Sequence, residues 1–136
     1  MDLYNLIFIG GILHLGILLA SAAVPQALDW KESLRGIDPL LRQLIWVHGA
    51  FIVLVIVGFG VLSLIFSAEL ATGSPLARGV CAFIALFWAT RLAVQLLYFD
   101  AKAHLTSPLL KIGYRGLTVV FVYHAVVYGF AAAQPV

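Results

Sequence analysis

The fold of this chain is decided by residues 44–68, which read LIWVHGAFIVLVIVGFGVLSLIFSA without one charged side chain. A helix that crosses the hydrocarbon core of a bilayer needs about 20 consecutive, mainly apolar residues. This stretch meets that requirement. It therefore predicts a transmembrane helix whose surrounding solvent is lipid.

The composition of the whole chain extends this interpretation. Of the 136 residues, 63% are hydrophobic and 10% are charged, whereas a soluble domain carries about 25% charged residues. A water-soluble domain of this size leaves a large share of its surface exposed and cannot hide so much apolar side chain. The net charge of +2 is small and dispersed, so we expect the lipid bilayer, and no nucleic acid, as a partner.

Outward from this stretch, three further segments are long and apolar enough to cross a bilayer. Because the connections between them are short, we expect an all-α, antiparallel up-down bundle of four helices that forms one domain. The first segment lacks the basic start of a secretory signal, and we expect it to be retained. The predicted spans lie at about 3–24, 40–68, 75–99 and 108–133 of the single domain 1–136.

Three of the predicted spans begin with a capping side chain followed by proline. An Asp or Ser oxygen accepts a hydrogen bond from the first helical turn, and proline at the first helical position loses no bond because its missing N–H had no partner. These dipeptides predict where the helices start. They are Asp38-Pro39, Ser74-Pro75 and Ser107-Pro108.

Positive charge is distributed unevenly between the loops. The positive-inside rule places loops 25–43 and 100–115 in the cytoplasm, so that both termini face outward. We expect a bacterial cytoplasmic membrane. Apolar residues at helical spacing also predict a short interfacial helix over 26–36, with an ordered loop as the alternative. The first and third connections carry Lys31, Arg35, Arg42, Lys102, Lys111 and Arg115, and the second carries Arg78.

One ionisable residue lies well inside each predicted span: His14, His48, Arg91 and His124. Ionisable groups are costly in lipid and are functional candidates for that reason. With a rise of 1.5 Å per residue, counting from the cytoplasmic end of each span puts all four within a slab about 6 Å thick. We therefore expect them to converge in the cytoplasmic half of the bundle.

Helical spacing adds aromatic and polar side chains to the same faces. Tyr98 and Tyr128 also fit the aromatic belts at the two membrane surfaces. The third span presents Trp88, Arg91, Gln95 and Tyr98 at intervals of three or four residues, and the fourth presents Tyr114, Leu117, Phe121, His124 and Tyr128 at the same intervals. Small residues allow close approach of backbones or of a flat ligand, here at Gly10, Gly11, Gly58 and Gly60.

Three histidines and an arginine among aromatic residues point to haem b. Neutral imidazoles from two helices can take both axial positions of the iron, and an arginine can neutralise a propionate. His14 with His124 is the expected metal-binding pair, and His48 is the alternative ligand. The remaining members of the expected cofactor site are Arg91, Gln95, Tyr98, Trp88 and Phe121.

The sequence thus favours a membrane haem b protein in electron transfer, an oxidoreductase or electron-transfer subunit that exchanges electrons with a quinone or a redox partner protein. The placement of His14 and of Tyr123-His124 is similar to that in small four-helix membrane haem proteins, including the oxygen-independent type of protoporphyrinogen oxidase. The likeness covers scattered positions, and no residue role is carried over from it.

Two other interpretations stay open. In the first, the chain is a non-catalytic accessory subunit of a larger membrane complex, and its polar layer fixes the packing of the helices. In the second, it is a small proton-linked transporter whose histidines relay protons. The oligomeric state is open in every case.

Overall fold

The structure, a computed structural model, describes residues 2–27, 30–98 and 108–134. Within these residues the chain is helical and contains no strand. Four of the helices, α1, α3, α5 and α6, are long and apolar enough to cross a membrane, as in an integral helical membrane protein. The helices in chain order are α1 (Leu3–Ala27), α2 (Trp30–Ser33), α3 (Pro39–Ile65), α4 (Ser67–Leu70), α5 (Pro75–Leu97) and α6 (Pro108–Ala132).

The predicted helix starts are confirmed where the structure describes them. The Asp38 carboxylate accepts a hydrogen bond from the Leu40 N–H at 2.8 Å, at the start of α3. The Ser74 hydroxyl oxygen accepts one from the Ala77 N–H at 3.2 Å, at the start of α5. Helix α6 begins at the predicted proline, while its expected cap, Ser107, lies outside the described residues.

Two connections can be compared with the prediction. Of the range 26–36, predicted as an interfacial helix or an ordered loop, residues 30–33 form the short helix α2, and residues 28 and 29 lie outside the described residues. The span expected over 40–68 ends at Ile65, because Phe66 leaves the helical conformation with φ −110° and ψ 26°. This bend turns α4 towards α1 and α5 and buries its Leu70.

The long helices pack as two pairs. Helix α5 packs along α6, helix α1 packs along α3, and a smaller contact between α1 and α6 joins the pairs. Across the described part of the chain, the backbones of α3 and α5 stay apart, and the two helices meet through aromatic side chains, with Phe59 of α3 edge-on to Phe83 and Phe87 of α5. A cavity of about 380 Å³ lies between these two helices.

Helices α1 and α3 approach each other closely at two glycines. A Cβ on Gly11 would lie 2.8 Å from Leu64 Cγ and 3.1 Å from the Gly60 carbonyl oxygen. A Cβ on Gly60 would lie 3.1 Å from His14 Cβ. The expected role of small residues in close packing is confirmed here, whereas Gly58 faces open space with nothing within 4 Å.

Candidate functional site

Two of the histidines singled out by the sequence meet in the centre of the protein. His14 on α1 and His124 on α6 are both fully buried. Their ring centroids are 4.0 Å apart, and the planes of the rings differ by 36°. The contact between α1 and α6 therefore brings together the pair that the sequence favoured over the alternative with His48.

The hydrogen bonds of His14 determine its tautomer. Its Nδ1 lies 2.7 Å from the Gly10 carbonyl oxygen, and its Nε2 lies 2.8 Å from the indole Nε1 of Trp88. A carbonyl can only accept and an indole N–H can only donate. His14 is therefore neutral with the proton on Nδ1, and its Nε2 lone pair accepts the Trp88 hydrogen bond.

His124 is different, because neither of its ring nitrogens has a hydrogen-bond partner within the described residues. A neutral imidazole carries one donor and one acceptor. Leaving a buried polar group without a partner costs about 1–3 kcal/mol. His124 is thus the buried histidine with capacity to bind a further group.

Trp88 of α5 is the central aromatic residue of the site. Its indole stacks on Phe121 at 5.0 Å between ring centroids and on His124 at 5.2 Å. Its N–H donates to His14. The sequence placed Trp88 on the polar face of its helix, and the structure gives that face a specific function in linking α5 to both α1 and α6.

Tyr128 corrects an expectation. The sequence put it in the aromatic belt at the membrane surface, but it is fully buried and its hydroxyl hydrogen-bonds with that of Ser63 on α3 at 2.5 Å. Its ring lies beside His14 and His124. A Cβ on Gly10 would come within 2.8 Å of its hydroxyl, so the space at this glycine is filled by the tyrosine.

The sequence contains a signal for one of these two residues. Tyr128 follows His124 by four positions and so shares its helical face, which predicts the same burial. No spacing rule singles out Ser63, because its partner lies on another helix, 65 positions away along the chain.

Arg91 lies at the edge of this aromatic group. Its guanidinium carbon is 5.6 Å from the centroid of the Phe121 ring, a cation–π distance. Arg91 and Trp88 also both line the cavity between α3 and α5. Trp88 therefore both contacts the histidine pair and lines a cavity that has a cationic side chain in its wall.

Three expected members of the site lie elsewhere. Gln95 donates to the Thr118 hydroxyl at 2.5 Å and so ties α5 to α6. Tyr98 is 83% exposed at the end of α5. His48 is exposed, with Nδ1 2.7 Å from the Leu44 carbonyl oxygen.

The position of His48 corrects the expectation that all four ionisable residues converge. In the first half of α3 no described residue is buried before Ile56. The closest described approach of α1 to α3 lies further along, at Gly60, and among the described residues the His48 side chain is exposed. Depth along a span, which the sequence supplies, does not establish which helices touch at that depth.

The donor set limits what the histidine pair can hold. Among the described residues there is no group of three or more His, Cys, Asp or Glu side chains that could hold a metal ion, and a tetrahedral zinc site uses about four protein ligands. Two imidazoles match an axial pair instead. A bond from a metal ion to an imidazole nitrogen is about 2 Å long, so the rings of His14 and His124, with centroids 4.0 Å apart, are too close to hold one ion between them and would have to separate to do so.

Scans against protein-family models, curated proteins and solved structures find no match for this chain.

Proposed function

We propose that the protein is a membrane haem b-binding protein in electron transfer, in which His124 would be the principal residue to hold the iron. The observation that carries the proposal is the complete burial of His124 with both ring nitrogens without a partner in the described chain. Coordination of one nitrogen offsets the cost of burying it unsatisfied. Haem, when bound, supplies a one-electron carrier.

His14 would be the second residue to hold the iron in this proposal. A histidine that ligates a metal usually donates its other ring N–H to a carbonyl or a carboxylate, which orients the ring. His14 has this bond already, from Nδ1 to the Gly10 carbonyl. To hold the iron, His14 would use the Nε2 that now accepts from the Trp88 indole, and the α1–α6 contact, the smallest between the long helices that pack together, would have to widen.

Arg91 supplies positive charge beside the proposed site. It lies next to Phe121, which stacks on Trp88. A guanidinium in that position can pair with a propionate. The proposal keeps Trp88 and Phe121 as the aromatic wall and leaves Gln95 and Tyr98 out, because they lie further along α5.

The proposal includes an orientation. An up-down bundle with both termini outside puts the basic connections in the cytoplasm of a bacterial cell, in agreement with the positive-inside rule. The electron partners are then a membrane quinone or a redox protein. An epitope or cysteine placed in the loop after Ser33 would be labelled only in inverted vesicles if this orientation is correct.

Haem reconstitution of the purified protein tests the function. We expect a Soret band on addition of haem b in detergent, and His124→Leu should lower haem affinity at least about 100-fold, since even changes to the groups that orient a ligand cost about 10–100-fold. His14→Leu should retain haem and convert a low-spin spectrum to a high-spin one. The measurement is absorption in the oxidised and reduced states.

His48→Leu is the matched control, because His48 is exposed on α3 and away from the pair. It should leave both affinity and spin state unchanged. The haem proposal is wrong if the wild-type protein forms no Soret band, or if His48→Leu and His124→Leu lower the band equally.

A second candidate function is that of an accessory subunit of a larger membrane complex. The hydrogen bonding of His14 favours it. Both of its ring nitrogens are satisfied, by Gly10 and Trp88, as expected for a group that only locks helices together. This candidate predicts that His14→Asn and His124→Asn change thermal stability alone. It also predicts that the wild-type protein takes up no haem.

A further inference from the structure

The cavity between α3 and α5 is a second site, distinct from the histidine pair. It lies where the backbones of α3 and α5 stay apart, next to the contact of Phe59 with Phe87, and its volume of about 380 Å³ falls within the range of about 300–1,000 Å³ that is typical of small-molecule sites. Its walls are almost wholly apolar. Ile52 and Ile56 line it from α3, and Phe87, Trp88, Arg91 and Val94 line it from α5.

Arg91 gives this apolar cavity a chemical preference. The guanidinium carries only hydrogen-bond donors, so it favours an electron-rich acceptor atom in the occupant. The sequences of the four candidate membrane spans contain no Asp or Glu. The field in the cavity is therefore that of a cation and aromatic rings, without a carboxylate from the spans.

The depth of Arg91 decides between a charged and a neutral headgroup. Arg91 precedes Leu97, the last residue of α5, by six positions, which is about 9 Å of helix. The ionic headgroup of a free lipid-soluble ligand would have to lose its water to reach that depth, at a high cost in free energy, whereas a haem propionate would be carried there by the binding of the rest of the macrocycle. A neutral carbonyl group accepts from the guanidinium without that cost.

We propose that this cavity binds the head ring of an isoprenoid quinone, with one ring carbonyl accepting a hydrogen bond from Arg91 and the tail leaving between α3 and α5 into the lipid. The ring then lies next to Trp88, which contacts His14 and His124. The redox role of the bound quinone rests on the proposed haem function. Binding itself does not require haem and is measured without it.

Quenching of Trp88 fluorescence by decylubiquinone tests the proposal in the full-length, haem-free protein in detergent. Trp30→Phe and Trp46→Phe together leave Trp88 as the only indole. We expect saturable quenching in this background. Arg91→Leu should weaken binding about ten-fold, the value of one hydrogen bond to a charged group.

Val94→Phe and Val119→Phe form a matched pair that keeps Arg91 in place. Val94 lines the cavity, so the larger ring should fill it and weaken binding at least about ten-fold. Val119 is 68% exposed on α6, and its replacement should leave binding unchanged. Circular dichroism and the melting temperature verify that both variants are folded.

Three results overturn the quinone site: quenching that rises linearly without saturation, equal effects of Val94→Phe and Val119→Phe, or displacement of decylubiquinone by laurate at equal concentration. The outcomes for the two proposals are separable. Saturable quinone binding without a Soret band contradicts only the haem function, and a Soret band that depends on His124 without saturable quenching contradicts only the quinone site.

Discussion

Replacement of Trp88 by alanine is expected to lower the free energy of unfolding by about 3 kcal/mol. The indole is fully buried, stacks on Phe121 and His124, and donates to His14. Truncation of a buried Trp costs about 3–5 kcal/mol in soluble proteins. We expect the low end of this range, because lipid tails are as apolar as the protein interior and only the cavity and the lost contacts remain.

Trp88→Phe separates the hydrogen bond from the packing. It keeps most of the ring contacts and leaves the Nε2 of His14 without its donor, for an expected loss of about 1 kcal/mol. Thermal or SDS-induced unfolding in detergent micelles measures both variants. The control is Trp46→Ala, at a Trp that is 48% exposed on α3, with an expected change below about 1 kcal/mol.

The predicted order is thus Trp88→Ala, then Trp88→Phe, with Trp46→Ala closest to the wild type. If Trp46→Ala were as destabilising as Trp88→Ala, the central position of Trp88 would be contradicted. If Trp88→Phe lowered the free energy of unfolding as much as Trp88→Ala, the contribution of Trp88 to stability would come mainly from its hydrogen bond to His14 and not from stacking.

Gly11→Val is expected to lower the free energy of unfolding by about 2 kcal/mol, within the range for overpacking of about 1–3 kcal/mol. The new Cβ would lie 2.8 Å from Leu64 Cγ and 3.1 Å from the Gly60 carbonyl oxygen. The leucine can change its rotamer, but the carbonyl belongs to the backbone of α3. The helices α1 and α3 must therefore move apart.

Gly16→Val on the same helix is the matched control. A Cβ at Gly16 meets nothing within 4 Å, so the same substitution should change stability by less than about 0.5 kcal/mol. Both variants are compared by unfolding in the same detergent. Equal stability of the two variants would show that α1 and α3 do not approach each other as closely at Gly11 as the structure has it.

The four spans and two helix starts were predictable because they depend on local properties. The apolar run at 44–68 exceeds what a bilayer requires, and Asp38 and Ser74 cap helices through atoms two or three residues away. The spans were placed less accurately at their ends. The bend at Phe66 was not predicted, because no local sequence signal marks it. It accompanies the contacts of α4 with α1 and α5.

The candidate site was predictable in part. His14 and His124 were identified because ionisable groups are costly in lipid. Trp88 and Phe121 were identified because helical spacing puts them on the same faces as ionisable residues. The two errors concern His48 and Tyr128. Helical spacing shows which residues share a face with each of them, but not whether another helix covers that face. In the structure His48 is exposed and Tyr128 is buried.

By itself, the sequence of this protein determined a helical membrane chain with four spans and a set of polar residues at similar depth, because hydropathy and helical rise are properties of one segment at a time. Only the tertiary structure decided that His14 and His124 touch, that Trp88 occupies the His14 lone pair, and that α3 and α5 leave a cavity beside Arg91. Those features depend on which helices pack together and at what angle, and in lipid this is decided by the fit of small residues and interhelical hydrogen bonds rather than by hydrophobicity.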